Sequence, residues 1–97
     1  MSRVRRSYSV KITINGRDIR QAVIDPHYEE KHPDISDELI LNLIERLDGG
    51  EYQPSDRKHE WEFFMLDRIP YQGKHYRLVW CMRDHEIFIG VINCFRR

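Results

Sequence analysis

The dipeptide Asn15-Gly16, set between two segments of alternating apolar and polar residues, constrains the fold more than any other part of the chain. Asparagine and glycine both tolerate positive φ, which a type I′ turn requires at its two central positions. The alternation on either side has the two-residue period of a strand with one buried face. The pattern predicts a β-hairpin over about residues 8–24. Its expected pairs are Ile12 with Ile19 and Tyr8 with Val23.

The middle of the chain has a helical period instead. Apolar residues recur there at spacings of three and four, which places them on one stripe of a helix: Ile35, Leu39, Ile40, Leu43, Ile44 and Leu47. Asp34 or Ser36 can cap its first turn, and Gly49-Gly50 ends it. These signals predict an amphipathic helix over about residues 35–48.

Three further strands are predicted after a polar loop, EYQPSDRKHE. Their sequences are WEFFMLDRI, HYRLVWCMR and EIFIGVINCF, which together indicate a meander over about residues 60–96. The 97 residues therefore favour one small α+β domain. We expect an antiparallel sheet of about five strands, in the order β-β-α-β-β-β, with the amphipathic helix packed on one face.

The fourth predicted strand alternates most clearly, and one of its faces carries polar groups. A tight turn at Asp84-His85 predicts a register for the last two strands: Met82 opposite Ile87, Trp80 opposite Ile89, Leu78 opposite Val91, Arg77 opposite Ile92, His75 opposite Cys94, and Arg83 beside Glu86. The first three pairs form the core side. On the reverse side, His75, Arg77 and Arg96 are expected at one end, with Phe88 and Ile92 as apolar surface.

The net charge is zero but unevenly distributed, with a balance of +5 in residues 1–20, −6 in residues 25–48 and +1 in the remainder. Strong nucleic-acid binders are usually basic overall, and this chain is not. Only its first predicted strands offer a basic patch. No apolar run reaches the length that spans a bilayer, and no secretory signal is visible, so a cytoplasmic protein without membrane contact is expected. Cys81 and Cys94 are expected to be reduced thiols.

The polar face of the fourth strand suggests RNA chemistry. Cations can hold phosphates, aromatic rings can stack on bases, and a histidine near an arginine can transfer protons while the arginine stabilises a phosphorane. The alternative is an ordinary solvated sheet face. In DPHYEEKH, His27, Lys31 or His32 could also transfer a proton. The two histidines are five apart, not the four of a helical zinc motif, so neither a metal nor another cofactor is expected.

The end of the chain resembles the RelE-like toxins and related small bacterial ribonucleases, in the motifs Y-x-G-K-x-Y-R-L-x-W and G-V-I-N-x-x-R-R after a short amphipathic helix. The resemblance covers about residues 25–97. It implies a metal-independent endoribonuclease that acts through the RNA 2′-hydroxyl and has a protein antitoxin as partner. The residues that it implies as catalytic or RNA-binding are Lys74, His75, Arg77 and Arg96, with His27 and Lys31 as further candidates.

Two other functions fit the same sequence. The chain could be a non-catalytic interaction domain that binds a protein, or forms a homodimer, through Phe88 and Ile92. It could also bind RNA passively through the basic N-terminal segment, with Arg3, Arg5 and Arg6 on the phosphates.

Overall fold

The computed structural model describes residues 4–97, which form one six-stranded sheet and two short helices. The elements are β1 (Arg6–Ile14), β2 (Arg17–Ile24), α1 (Tyr28–Lys31), α2 (Asp37–Glu45), β3 (Asp56–Lys58), β4 (Trp61–Tyr71), β5 (Lys74–Arg83) and β6 (Phe88–Arg96). The strand order across the sheet is β1-β2-β6-β5-β4-β3. The predicted α+β class is therefore confirmed in outline, while the number and order of strands differ from the prediction.

The N-terminal hairpin forms as predicted around its turn. Asn15 and Gly16 have φ values of 53° and 73°, and Ile12 pairs with Ile19. Farther from the turn the register shifts between Ser9 and Ile12, so that Tyr8 pairs with Ala22 and not with Val23. The irregularity is a local bulge, which alternation of apolar residues alone does not reveal.

The sheet is mixed, which corrects the expectation of an antiparallel sheet. β2 pairs with β6 in parallel, and this contact joins the hairpin to the meander. In that register Ala22 lies beside Ile89 and Ile24 beside Val91, and all four side chains are buried. The pairing is favoured because it continues one apolar face across the joint.

The helical part is shorter and more divided than predicted. α2 begins after Ser36, whose hydroxyl accepts a hydrogen bond from the Leu39 amide at 3.1 Å, and ends at Glu45. Turns follow, and the Gly49 amide donates to the Thr13 carbonyl at 2.7 Å. The one-turn helix α1 lies between the predicted hairpin and the predicted helix. None of the helices formed by residues 4–97 is long and apolar enough to cross a membrane.

The register of the last two strands differs from the prediction by two residues near the turn and by three residues beyond Trp80. Met82 pairs with Ile89 and Trp80 with Val91, because the connection extends from Asp84 through Ile87. A second shift follows Trp80, and the remaining pairs are Val79 with Asn93, Leu78 with Cys94, Arg77 with Phe95 and Tyr76 with Arg96. Arg83 contacts Glu60 at 2.9 Å instead of the predicted Glu86.

A sixth strand was missed by the sequence analysis. β3 pairs with the start of β4 inside the segment predicted as a polar loop. Its three residues are all exposed, so they carry no apolar alternation that could identify a strand.

The helices cover one face of the sheet and leave the other without a covering layer in the part of the chain described. The core lies between the helices and the covered face, where Ile40, Leu43 and Ile44 of α2 join buried strand residues, including Trp80. Cys94 is buried on this covered face, whereas Cys81 lies on the reverse face of the neighbouring strand. Both cysteines are free thiols, as expected.

Asp37, at the first turn of α2, links three segments of the fold. Its carboxylate accepts hydrogen bonds from Arg6 (Nε at 2.5 Å, Nη2 at 2.9 Å), from the Tyr8 hydroxyl at 2.5 Å and from the Tyr28 hydroxyl at 2.6 Å. The side chain is only 14% exposed. The hydrogen bonds from Arg6 and the two tyrosines lower the pKa of Asp37 to about 2. The ionised carboxylate therefore holds α1, α2 and β1 together.

We predict that Asp37→Asn destabilises the fold by about 2 kcal/mol at neutral pH, since each unit of pKa difference between folded and unfolded states is worth about 1.4 kcal/mol. Because the folded-state pKa is depressed, this stabilisation is complete above about pH 4 and is lost as the pH falls towards 2. Urea unfolding at several pH values should show a smaller acid loss of stability for the variant than for the wild type. Glu38→Gln, an exposed neighbour, is the control, and equal acid sensitivity of wild type and Asp37→Asn would contradict the prediction.

Candidate functional site on the open sheet face

The uncovered side of β4, β5 and β6, here called the open face, combines aromatic, apolar and cationic side chains. Strand alternation directs to this side the half-buried or exposed residues that lie between the core positions. They include Trp61, Phe63, Met65 and Asp67 of β4; His75, Arg77, Val79, Cys81 and Arg83 of β5; and Phe88, Gly90, Ile92, Asn93 and Phe95 of β6. The open face thus offers both rings and positive charge to a ligand.

One end of the open face gathers charged groups around the ring of Phe95. The Arg77 guanidinium lies 5.5 Å from the ring centroid, and the imidazole of His32 stacks on the ring with 5.2 Å between centroids and an interplanar angle of 21°. His75 is two residues before Arg77 on the same face of β5. Its carbonyl accepts a hydrogen bond from the Arg97 amide at 2.8 Å. We call Phe95, Arg77, His32, His75 and Arg97, together with Asp67, the Phe95 cluster.

Asp67 holds both arginines of the Phe95 cluster. One carboxylate oxygen lies 3.0 Å from Arg77 Nη2, and the other lies 3.0 Å from Arg97 Nε. Asp67 sits where the β4–β5 register shifts, and the next residue, Arg68, has a φ of +57°. The hydrogen bond from Arg77, with support from the Arg68 amide and from the charge of Arg97, lowers the pKa of Asp67 to about 2. Asp67 is therefore ionised and fixes both guanidinium groups.

His32 reaches the Phe95 cluster because β2 pairs with only the first half of β6. β2 ends at Ile24, opposite Val91, so within residues 4–97 no strand pairs with the second half of β6 on that side. α1 occupies this place and contacts β6. His32 caps α1, with its amide donating to the Tyr28 carbonyl at 2.8 Å, and its ring lies against Phe95.

The structure separates the residues predicted on strands four and five. His75 and Arg77 are together on the open face, as predicted. Arg96 pairs directly with Tyr76, whose side chain belongs to the core, so Arg96 points to the covered side and does not join them. The prediction placed Arg96 wrongly because the register shift in β6 reverses the side on which its last residues emerge. Arg97, the following residue, lies beside His75 and Arg77, where Arg96 was expected. Lys74 is exposed opposite Tyr71, beside the turn.

In the segment before the helix, the structure brings His32 and not His27 onto the open face. His27 directly precedes α1 as its N-cap and lies 4.0 Å from Glu30, near Val4, Arg5 and Asp25. Lys31 is exposed in the only turn of α1. Sequence reasoning had named His32 as one of three proton-transfer candidates. It could not single out His32, because its stacking partner is 63 positions later.

The basic N-terminal segment is partly occupied by internal contacts. Arg6 is bound to Asp37 and also to Glu29, so its guanidinium is used within the fold. Arg5 is exposed, at 3.7 Å from Asp25. The prediction for Arg3 lies outside the described residues.

A concavity of about 580 Å³ opens in the middle of the open face. Its floor is the row Val23, Gly90 and Cys81, which are neighbours on β2, β6 and β5. Phe88 and Ile92, the predicted interaction patch, flank Gly90 along β6. Trp61 contacts Phe88 edge to face, with 5.9 Å between ring centroids, and the Arg83 guanidinium lies 5.7 Å from the Trp61 ring centre.

Residues 4–97 contain no group of three or more His, Cys, Asp or Glu side chains that could hold a metal ion. Comparisons of the chain with protein-family models, with curated protein sequences and with solved structures each gave no match.

The contact between Asp67 and Arg77 can be measured directly. We predict that Arg77→Gln raises the pKa of Asp67 from about 2 towards its usual value, because the hydrogen bond from Arg77 is the main cause of the depression. Arg97→Gln should raise it less. Titration of the side-chain carboxyl carbon by NMR reports both changes, with Arg20→Gln as a control far from Asp67 in the strand order. A normal pKa of Asp67 in the wild-type protein would contradict the arrangement.

Proposed function

We propose that the protein is a metal-independent endoribonuclease that cleaves RNA through the RNA 2′-hydroxyl, with the Phe95 cluster as its active site. The observation that carries the proposal is the half-buried Phe95 ring at the end of an uncovered sheet face, which contacts His32 and Arg77, with His75 and Arg97 next to them on the same face. The resemblance to RelE-like ribonucleases, which points to the same strand, supports it. The substrate and any antitoxin partner remain parts of the same proposal.

The reaction needs two proton transfers and one site of charge stabilisation. A base removes the 2′-hydroxyl proton while O2′ bonds to phosphorus, and the bond from phosphorus to O5′ breaks as an acid protonates O5′. The products are a 2′,3′-cyclic phosphate and a 5′-hydroxyl. Imidazole groups exchange protons near neutral pH, and His32 and His75 supply one such group each from different elements. Arg77 and Arg97 would stabilise the additional negative charge on the phosphorane oxygens.

The planar groups packed on Phe95 give the substrate a place to stack. RNA is recognised largely through unpaired bases that stack on aromatic or guanidinium planes. The Phe95 ring already contacts His32 and Arg77, so a base that stacks on the outer side of either group would bring its phosphate to the guanidinium and imidazole groups. Asp67 would orient Arg77 and Arg97, and a substrate phosphate would share these cations with its carboxylate.

A second candidate function is a protein-interaction domain without catalysis. It is favoured by the apolar part of the open face, where Met65 is 51% and Ile92 39% exposed. Single exposed apolar residues are common on soluble proteins. This observation therefore supports an interaction domain less strongly than the contacts at Phe95 support a ribonuclease.

The test is cleavage of single-stranded RNA by purified protein in EDTA. We predict that Arg77→Ala and His75→Ala each lower kcat by about 100-fold or more, the usual contribution of a transition-state donor or a general acid–base group. His32→Ala should lower kcat comparably and change the pH dependence on one limb only. Products carrying 2′,3′-cyclic phosphate, identified by mass spectrometry, would support attack by the 2′-hydroxyl.

Two controls separate chemistry from folding. Arg20→Ala removes an exposed arginine of β2, and His85→Asn removes a turn histidine whose φ of +64° asparagine tolerates. Both variants should cleave at the wild-type rate. Cleavage that survives the Arg77, His75 and His32 substitutions would move the site to the His27 and Lys31 region. Absence of cleavage by folded wild-type protein would contradict the ribonuclease function for the RNAs tested.

A further inference from the structure

The concavity on the open face exists because Gly90 has no side chain. On the same face of β6, Phe88 precedes Gly90 and Ile92 follows it. The side chains of these two larger residues therefore border the space that a side chain at position 90 would fill. A Cβ built on Gly90 would lie 3.0 Å from the sulfur of Cys81, closer than side chains normally approach. The small residues Gly90 and Cys81 therefore form a flat floor between two walls.

The walls and the rim of this concavity have the aromatic surface and the hydrogen-bonding groups that bind a nucleobase. Trp61 and Phe88 form one wall with rings set at 67° to each other, so that one ring can present its face to a planar ligand. Gln21 and the pair Arg5 and Asp25 lie on the rim and supply both donors and acceptors of hydrogen bonds. A mostly apolar cleft with a few polar groups is typical of a small-ligand site, and about 580 Å³ is within the usual size range.

The concavity lies close to the Phe95 cluster on the same face. Cys81 of the floor and Arg77 of the cluster are four residues apart on β5, so their Cα atoms are separated by about 13 Å at the usual rise of a strand. A base in the concavity and a phosphate at Arg77 can therefore belong to the same short stretch of single-stranded RNA.

We propose that this concavity is a nucleobase-binding subsite, in which a base stacks against the Trp61 and Phe88 wall over Gly90 and is read at its edge by Gln21. The inference rests on the proposed ribonuclease function, and it names the substrate as unpaired RNA and the part of the open face that selects a base. It concerns a position beyond the Phe95 ring.

Tryptophan fluorescence tests the proposal at the site itself. The other tryptophan, Trp80, is fully buried between Phe64 and Tyr52, so a ligand on the open face is sensed by Trp61. We predict that AMP, GMP, CMP or UMP quenches the emission in a saturable manner, with unequal affinities, and that ribose 5-phosphate does not. Trp61→Phe should abolish the response.

Cys81→Leu tests the shape of the floor, because the longer side chain fills the concavity, and Cys81→Ala is the matched control. We expect Cys81→Leu to weaken mononucleotide binding and to raise the KM for RNA by about tenfold or more, in line with the loss of one base-stacking contact. Cys81→Ala should impair both less than Cys81→Leu does, Arg20→Ala, outside the concavity, should retain both, and the effect of Cys81→Leu should fall on KM more than on kcat. Circular dichroism and thermal unfolding confirm that each variant is folded, and Gln21→Ala, on an exposed position, gives a second test through altered base preference.

The outcomes separate this proposal from the proposed function. Nucleotide binding without RNA cleavage would overturn the ribonuclease and retain the subsite. Cleavage that is insensitive to both Cys81→Leu and Gln21→Ala would retain the ribonuclease and overturn the subsite. Equal quenching by ribose 5-phosphate would also overturn it. So would self-association that Cys81→Leu abolishes while nucleotides have no effect, since the concavity would then receive a second copy of the chain.

Discussion

The parallel contact between β2 and β6 is the constraint on which the rest of the structure depends. It joins a hairpin built around Asn15-Gly16 to a meander that is separate in sequence, and it aligns their buried residues into one apolar face. It also ends halfway along β6, at Val91, which leaves room for α1 beside the remaining half. The same short pairing that completes the core therefore places His32 against Phe95. Core formation and assembly of the candidate site are thus both consequences of the point at which β2 ends beside β6.

Local patterns predicted the elements of this fold better than their assembly. The turn at Asn15-Gly16, the apolar stripe of α2 and the alternation of β5 are encoded by neighbouring residues, and the structure contains all three. The parallel pairing and the bulge in β6 depend on residues far apart in sequence, and no short pattern reports them. This difference explains why His75 and Arg77 were placed correctly on one face while Arg96 was placed on the wrong side. The bulge adds one residue, and one residue reverses the direction of every side chain after it.

Sequence reasoning also missed the two residues that hold the Phe95 cluster together. Asp67 and Phe95 were not among the candidates because a single carboxylate in a strand and a single aromatic near the terminus are both common. Their importance comes from their partners, since Asp67 contacts two arginines and Phe95 contacts one arginine and one histidine. The Arg68 backbone, with a positive φ, turns β4 at the point where Asp67 meets those arginines. A positive φ at a residue other than glycine is strained, and here it coincides with the best-connected carboxylate of the open face.

The chain has no net charge, and several of its arginines form ion pairs with its own carboxylates. Arg77 and Arg97 share Asp67, Arg83 contacts Glu60, and Arg6 is bound by Asp37. The open-face cations are thus oriented by carboxylates of the chain itself, which lowers the long-range attraction for a polyanion but fixes each guanidinium in one direction. Such a surface favours recognition at short range, by stacking and by directed hydrogen bonds, over diffuse attraction to any phosphate chain. Selectivity for a particular unpaired base is the property that this arrangement would gain in exchange for weaker non-specific binding.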